Sequence, residues 1–229
     1  MIKYESVAVD VTARVAETAV IGAPFRPLCD RRQRTTMSET LIGANSWIGH
    51  HTMIGQGAVI GAGTIIEDQV RVEAEAIVGE RVLVISRSQI CLGAKIADDC
   101  VIKGYVGDYC EVGKGCRIAG ELIHRQLDPS IPWDDPAADE PAPVVADGAF
   151  VGWRAVVVGD VKIGAGAYIC AGALITRDVP AHHIAYGRNQ IAHPTDWPGA
   201  LGKSPFFQAG VGQLFQARVG QPIPGRQDP

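Results

Sequence analysis

Between Ile42 and Lys103 the chain places Ile or Val at every sixth position: Ile42, Ile48, Ile54, Ile60, Ile66, Val72, Val78, Val84, Ile90, Ile96 and Ile102. Four residues after each of the first ten stands a small residue or Val, in the series Ser46, Thr52, Ala58, Thr64, Val70, Ala76, Val82, Ser88, Ala94 and Cys100. A helix repeats near 3.6 residues and a plain strand at 2, so neither template yields a strict six. A six-residue period marks a parallel β-helix. Each hexad is then a short strand and a turn, and three hexads close one triangular coil. The β-branched residues point into the prism, where copies from successive coils bury one another, and the small residues face inward near the corners. Gly43, Gly49, Gly55, Gly61 and Gly79 follow their aliphatic residues and are expected to relieve the turn, because glycine accepts φ > 0. Burial of each Ile or Val stabilises by roughly 1.5–3 kcal/mol, which makes the rows an ample core.

The same register extends to both sides of the run. Val9, Val15 and Ile21, with Ala13 and Ala19 in the small positions, predict a first coil. From about Pro24 to Thr40 the register breaks in a segment carrying Arg26, Arg31, Arg32 and Arg34. After Ile102 the count drops two residues and resumes at Val106, Val112, Ile118 and His124, which predicts a tightened turn at Gly104. Residues 125–142 then hold four prolines and five carboxylates. Proline cannot donate to a ladder, so this stretch is a second excursion. The prism resumes at Val145, Val151, Val157, Ile163, Ile169 and Ile175, with Ala149, Ala155, Val161, Ala167, Ala173 and Val179 in the small positions, and Pro180 is expected to stop it. One domain is predicted over 1–193. Beyond it, 194–229 reads as an irregular tail anchored by Phe206, Phe207 and Phe215 on the prism or on a neighbouring subunit.

Composition narrows the function classes. With 27 Gly, 47% hydrophobic and 6% aromatic residues, the chain suits a prism of Ile, Val, Ala and Gly. A net charge of −4 gives no electrostatic footprint for nucleic acid. The first residues lack the basic and apolar regions of a signal peptide, and no apolar run approaches a membrane span. No membrane partner is expected, and the expected location is cytoplasmic. Of the six cysteines, Cys100, Cys110 and Cys116 occupy small positions and no C-x-x-C pair exists, so reduced structural thiols are expected.

The register resembles the hexapeptide-repeat family, whose members fold as a left-handed parallel β-helix. The hand comes from that resemblance, because the general crossover rule favours the right. From His124-Arg125-Gln126-Leu127-Asp128, across the Pro-rich loop, to Pro143-Val144-Val145-Ala146-Asp147-Gly148-Ala149-Phe150-Val151-Gly152, the chain is similar to the hexapeptide acyltransferases. The maltose, galactoside and xenobiotic acetyltransferases are nearest in layout. The stretch Val161-Lys162-Ile163-Gly164 and the ending Gly172-Ala173-Leu174-Ile175-Thr176-Arg177-Asp178-Val179-Pro180 are similar as well. The family likeness spans most of 9–193, and the closer one spans 124–190.

That resemblance implies an acyl-CoA-dependent transfer of acetyl, or another small acyl group, to a hydroxyl or amine of a small molecule such as a sugar, an aminosugar or a specialised metabolite. His124 is implied as the general base, and histidine titrates near neutrality. The alternative for His124 is a corner histidine bonded to backbone. Asp128, Trp133, Asp134, Asp135 and Glu140 are the loop residues placed to orient it or touch the acceptor. Arg34 could clamp a phosphate or carboxylate, because the guanidinium fork suits both. For the donor, the resemblance implies Gly152, Trp153, Ala171 and Gly172 along pantetheine, with Arg177 and Arg188 toward the CoA phosphates. It also implies a homotrimer with sites between subunits. Two departures stand out. Phe150 takes a place where Trp is common, and Ile184-Ala185-Tyr186-Gly187-Arg188-Asn189-Gln190-Ile191 replaces the usual Gly-Asn-Pro-Ala. A non-catalytic trimeric scaffold is one alternative, and a metal-dependent hydratase or lyase is another. The γ-class carbonic anhydrases share this fold and hold zinc with histidines five apart on successive coils. Neither His50-His51 nor His182-His183 has such a partner, so no metal is expected.

Overall fold

A computed structural model describes residues 1–4, 6–24, 38–124 and 141–208. Strands of two to four residues recur in fixed order around three parallel faces of nine, eight and ten strands. The first face climbs from Ile2–Lys3 through Val20–Ala23, Met53–Gly55, Arg71–Val72, Gln89–Ile90, Tyr105–Val106, Glu121–Ile123 and Val156–Val158 to Leu174–Ile175. The second runs from Val7–Val9 and Thr40–Ile42 to Lys162–Ile163. The third runs from Arg14–Val15 to Ile184–Tyr186, where Gln190–Ala192 adds an antiparallel edge.

The hexad rows form the interior, as their period predicts. Ile48 pairs in register with Ile66, and Ile54 with Val72. Every aliphatic residue of the series from Ile42 to Ile102 is buried. The hydroxyls among the small positions are satisfied by the next coil: Ser46 Oγ donates to the Gly61 carbonyl at 3.0 Å, and Thr52 Oγ1 to that of Glu67 at 2.7 Å. Buried polar groups persist only when so bonded. Cys100, Cys110 and Cys116 are buried in the same places, and the Cys100 thiol lies 3.0 Å from the Gly113 carbonyl oxygen.

Three details correct the sequence expectations. Gly43, Gly49, Gly55, Gly61 and Gly79 are not where φ turns positive. That conformation falls two residues later, at Asn45, His51, Gly57, Gly63, Gln69, Glu75 and Arg81. Gly43 is needed for a different reason, since an added Cβ would meet the Ala62 nitrogen of the next coil at 2.7 Å.

The second correction concerns His124. The inward place on the first face belongs to Leu122, which is paired with Val106 below and Val157 above and is 0% exposed. The two-residue deletion after Ile102 is repeated after Ile118, so the count of six overshoots onto His124. Gly104 and Gly120 mark the two shortened corners, and a Cβ on Gly104 would run into the Gly120 carbonyl oxygen.

Third, Pro180 does not end the prism. Val179 bridges to Ile163 and takes an aliphatic place rather than a small one, and the coil continues through Ile184–Tyr186. Pro180 is tolerated because the described second face has no further strand above it to receive an N–H. The first coil forms as expected, through Val7–Val9, Arg14–Val15 and Val20–Ala23, and as the end of the prism it leaves Val9, Ala13 and Val15 half-buried while Ala19 and Ile21 are fully buried.

Both excursions leave from one edge, between the first and second faces, after Val20–Ala23 and after Glu121–Ile123. Five strand steps separate these two exits, about 24 Å at the spacing of neighbouring strands. The tail residues up to 208 pack on the prism. Phe206 and Phe207 meet Tyr168, which itself stacks on Phe150 at 4.7 Å, while Trp197 meets Tyr186 edge-on. Phe215 lies outside the described residues.

Candidate functional site

His124 follows the strand Glu121–Ile123 directly, on the first–second edge, and is half-buried. Its coil is pinned from both sides. The Gly107 amide donates to the Leu122 carbonyl at 2.8 Å, and the Gly159 amide to the Ile123 carbonyl at 2.9 Å. Gly107 must lack a side chain, since a Cβ there would stand 2.7 Å from the Leu122 oxygen and 3.4 Å from the His124 nitrogen.

Below Gly107 on the same edge lies a polar group that the sequence reading missed. Glu73, Cys91 and Asp108 bring their carboxylate and thiol atoms within 4.8 Å of one another. Glu73 is 5% exposed, and its Oε1 is held by Arg71 Nε at 3.1 Å and Gln89 Nε2 at 3.2 Å. Gln89 Nε2 also lies 3.5 Å from Cys91 Sγ. Burial pushes the Cys91 thiol up to about 12. The Tyr105 hydroxyl is pushed up as well, first by burial and then by its hydrogen bond with Cys91. A neutral thiol is a bonding group here and not a nucleophile. The available signal was the residue after the first-face aliphatic, which is glycine at Gly55 and Gly107 but Glu73 and Cys91 between them.

The donor candidates sit elsewhere. Gly152, Trp153, Ala171 and Gly172 occupy the edge between the third and first faces, after Phe150–Val151 and Tyr168–Ile169. The Gly172 amide donates to the Trp153 carbonyl at 2.9 Å, so the two corners are stacked. At Gly152 a Cβ would come 2.7 Å from the Ala171 nitrogen. Trp153 is 53% exposed and carries Lys103 Nζ 4.9 Å from its ring centroid. His124 and this set therefore lie on different edges of one prism. Arg177 returns to the first–second edge, two strands above His124, where its guanidinium donates to the Asn189 carbonyl. Arg188 is exposed beside it, bridged to Leu174. Arg34, Asp128, Trp133, Asp134, Asp135 and Glu140 lie outside the described residues.

Among the described residues neither histidine pair belongs to a cluster of three ligand-type side chains. His50 Nδ1 lies 3.1 Å from Thr18 Oγ1, with its ring 6.4 Å from that of His51. His183 packs edge-on against His193, which accepts from the Thr195 amide. Among the described residues no histidine joins the group of Glu73, Cys91 and Asp108, and no helix is long and apolar enough to cross a membrane.

Comparison with known proteins agrees with this architecture. Residues 39–74 match the family model of the bacterial transferase hexapeptide (six repeats). The bifunctional protein GlmU of Carboxydothermus hydrogenoformans is 31% identical over 142 residues, covering 56% of this chain and 30% of that protein. GlmU of Sorangium cellulosum is 30% identical over 185 residues, covering 79% of this chain and 32% of that protein. The chain thus spans no more than about a third of the length of these relatives. Among solved structures, the UDP-N-acetylglucosamine acyltransferase of Francisella novicida aligns with a TM-score of 0.53 at 17% identity, over 81% of this chain and 67% of that one. LpxA of Acinetobacter baumannii aligns with a TM-score of 0.50, also at 17% identity, over 83% and 72%. These likenesses fix the hand of the prism as left.

Proposed function

Residues 39–74 match the bacterial transferase hexapeptide repeat and the chain folds as a left-handed β-helix, and from that premise we propose that it is an acyl-CoA-dependent acyltransferase. It moves an acetyl or other small acyl group to a hydroxyl or amine of a small molecule, most simply a sugar or aminosugar. The observation that carries this reading is the placement of His124: a titratable side chain, half-buried, on the edge from which the acidic Pro-rich segment departs. The imidazole takes the proton of the acceptor O–H or N–H as that atom attacks the thioester carbonyl. It then returns a proton to the departing CoA sulfur, so the free base is restored. UDP-N-acetylglucosamine acyltransferases adopt the same fold, which supports a sugar as acceptor.

Gly152, Trp153, Ala171 and Gly172 are proposed to line the pantetheine arm, with Arg177 and Arg188 toward its phosphates. The separation of Gly152, Trp153, Ala171 and Gly172 from His124, on another edge, supports a homotrimer in which one subunit supplies the base and its neighbour the donor groove. A groove of that length needs more concave surface than one prism edge offers. The test is thiol release from acetyl-CoA in the presence of a sugar and aminosugar panel, alongside a thermal-shift titration with acetyl-CoA. Turnover and a raised midpoint support the transferase. A chain that neither turns over nor binds acetyl-CoA is the non-catalytic scaffold.

A further inference from the structure

The two shortened corners cut a notch into the third–first edge. On this edge the neighbouring corners run a full hexad, as from Val84 to Ile90 and from Val151 to Val157, whereas the chain passes from Ile102 to Val106 and from Ile118 to Leu122 in four residues each, and these two corners lie one above the other. Gly104 and Gly120 stand at their tips, and neither has room for a side chain. A Cβ on Gly104 would strike the Gly120 carbonyl oxygen, and one on Gly120 would strike that of Ala155. The wall of the notch is therefore bare backbone. Lys103 flanks it from below and Trp153 overhangs it from above, close enough across the gap for Nζ to lie 4.9 Å from the indole centroid. More than half of the Trp153 surface remains open, at 53% exposure.

The height of the notch decides which part of a donor it faces. Gly120 and His124 belong to one coil, separated only by the strand Glu121–Ile123. Rotation about an axis parallel to the prism, as in a closed ring of subunits, preserves height. It brings the His124 of one subunit level with the notch of its neighbour. The reacting carbonyl must lie at the level of the base, so the notch faces the acyl end of the donor, while the nucleotide lies further along the edge. An acetyl group offers nothing to an ammonium and an indole standing side by side. A longer acyl chain ending in a carboxylate offers methylenes to the ring of Trp153 and an anion to Nζ of Lys103.

Resting on the acyltransferase reading above, we propose that the preferred donor carries a short dicarboxylic acyl group of the succinyl type, selected by Lys103 and Trp153 at the Gly104–Gly120 notch.

The test uses the full chain and three donors: acetyl-CoA, butyryl-CoA and succinyl-CoA. The last two have acyl chains of equal length and differ by the terminal carboxylate. Dissociation constants are measured by calorimetry for the wild type and for Lys103→Met, which keeps the stem and removes the charge. The expected result is that the wild type binds succinyl-CoA about tenfold more tightly than butyryl-CoA, the worth of one charge-assisted contact. Lys103→Met should erase that difference and leave acetyl-CoA binding unchanged. Equal wild-type affinities for succinyl-CoA and butyryl-CoA overturn the proposal. So does a Lys103→Met loss common to all three donors, which would place the lysine on the shared CoA portion. If none of the three binds, the acyl-CoA reading itself falls, an outcome distinct from binding without discrimination. A matching thermal midpoint for the variant confirms that the fold is intact.

Discussion

Leu122 stacks in register between Val106 and Val157, two residues short of His124. The interior rung and the titratable group are thereby separate residues. The histidine stands on the edge without interrupting the core, so it can be replaced without opening a cavity.

The interior rungs should behave as a close-packed core. Ile66 is fully buried between Ile48 and Val84. Ile66→Ala should cost about 2–5 kcal/mol and Ile66→Val about 0.5–1.5 kcal/mol, measured by urea denaturation. An alanine variant within about 0.5 kcal/mol of wild type would contradict the stacked prism.

The notch makes a steric prediction. Gly104→Ala drives a methyl into the Gly120 carbonyl, whereas a Cβ on Gly172 meets nothing within 4 Å. Gly104→Ala should lower stability by about 1–3 kcal/mol or more, as overpacking does. Gly172→Ala should cost less, by the strain of its left-handed φ of 70° alone. Thermal midpoints of the two variants compare them directly.

Burial also shapes the alkaline limb of stability. The Cys91 and Cys110 thiols are pushed up to about 12 in the folded chain, against roughly 8.5 for a free cysteine. The fold favours the neutral thiol, so this contribution is complete below about pH 8.5 and is lost as pH climbs toward about 12. The midpoint of the wild type should fall more steeply between about pH 8.5 and 10.5 than that of Cys91→Ala. Parallel pH profiles would contradict the assignment.

Much of this fold could be read from the chain. The unbroken spacing from Ile42 to Ile102 carries the prism, and the loss of register near Pro24 and beyond His124 marks both exits. What escaped has definite causes. Leu122 and Ile123 are both aliphatic, so nothing in residue type announced the second shortened corner. Pro180 breaks ladders in general, but here no described strand above it needs its N–H. The association of Glu73, Cys91 and Asp108 joins residues one coil apart, visible only when the edges are aligned. Placing His124 and Trp153 on different edges required knowing which hexad builds which face.

The donor edge gives a test of the shared groove. Ala171 is exposed and stacked on Trp153. Ala171→Trp should raise KM for the acyl-CoA at least tenfold and leave the thermal midpoint within a few degrees, because the side chain points away from the core. A chain that proves monomeric by light scattering while fully active would refute the two-subunit site.

The most direct measurement is the turnover of His124→Ala with acyl-CoA and an accepted sugar. A positioned base contributes about two to four decades, so kcat should fall by about that much while CoA affinity and thermal midpoint stay near those of the wild type. A variant with near-wild-type kcat on the same acceptor would assign the base to another residue.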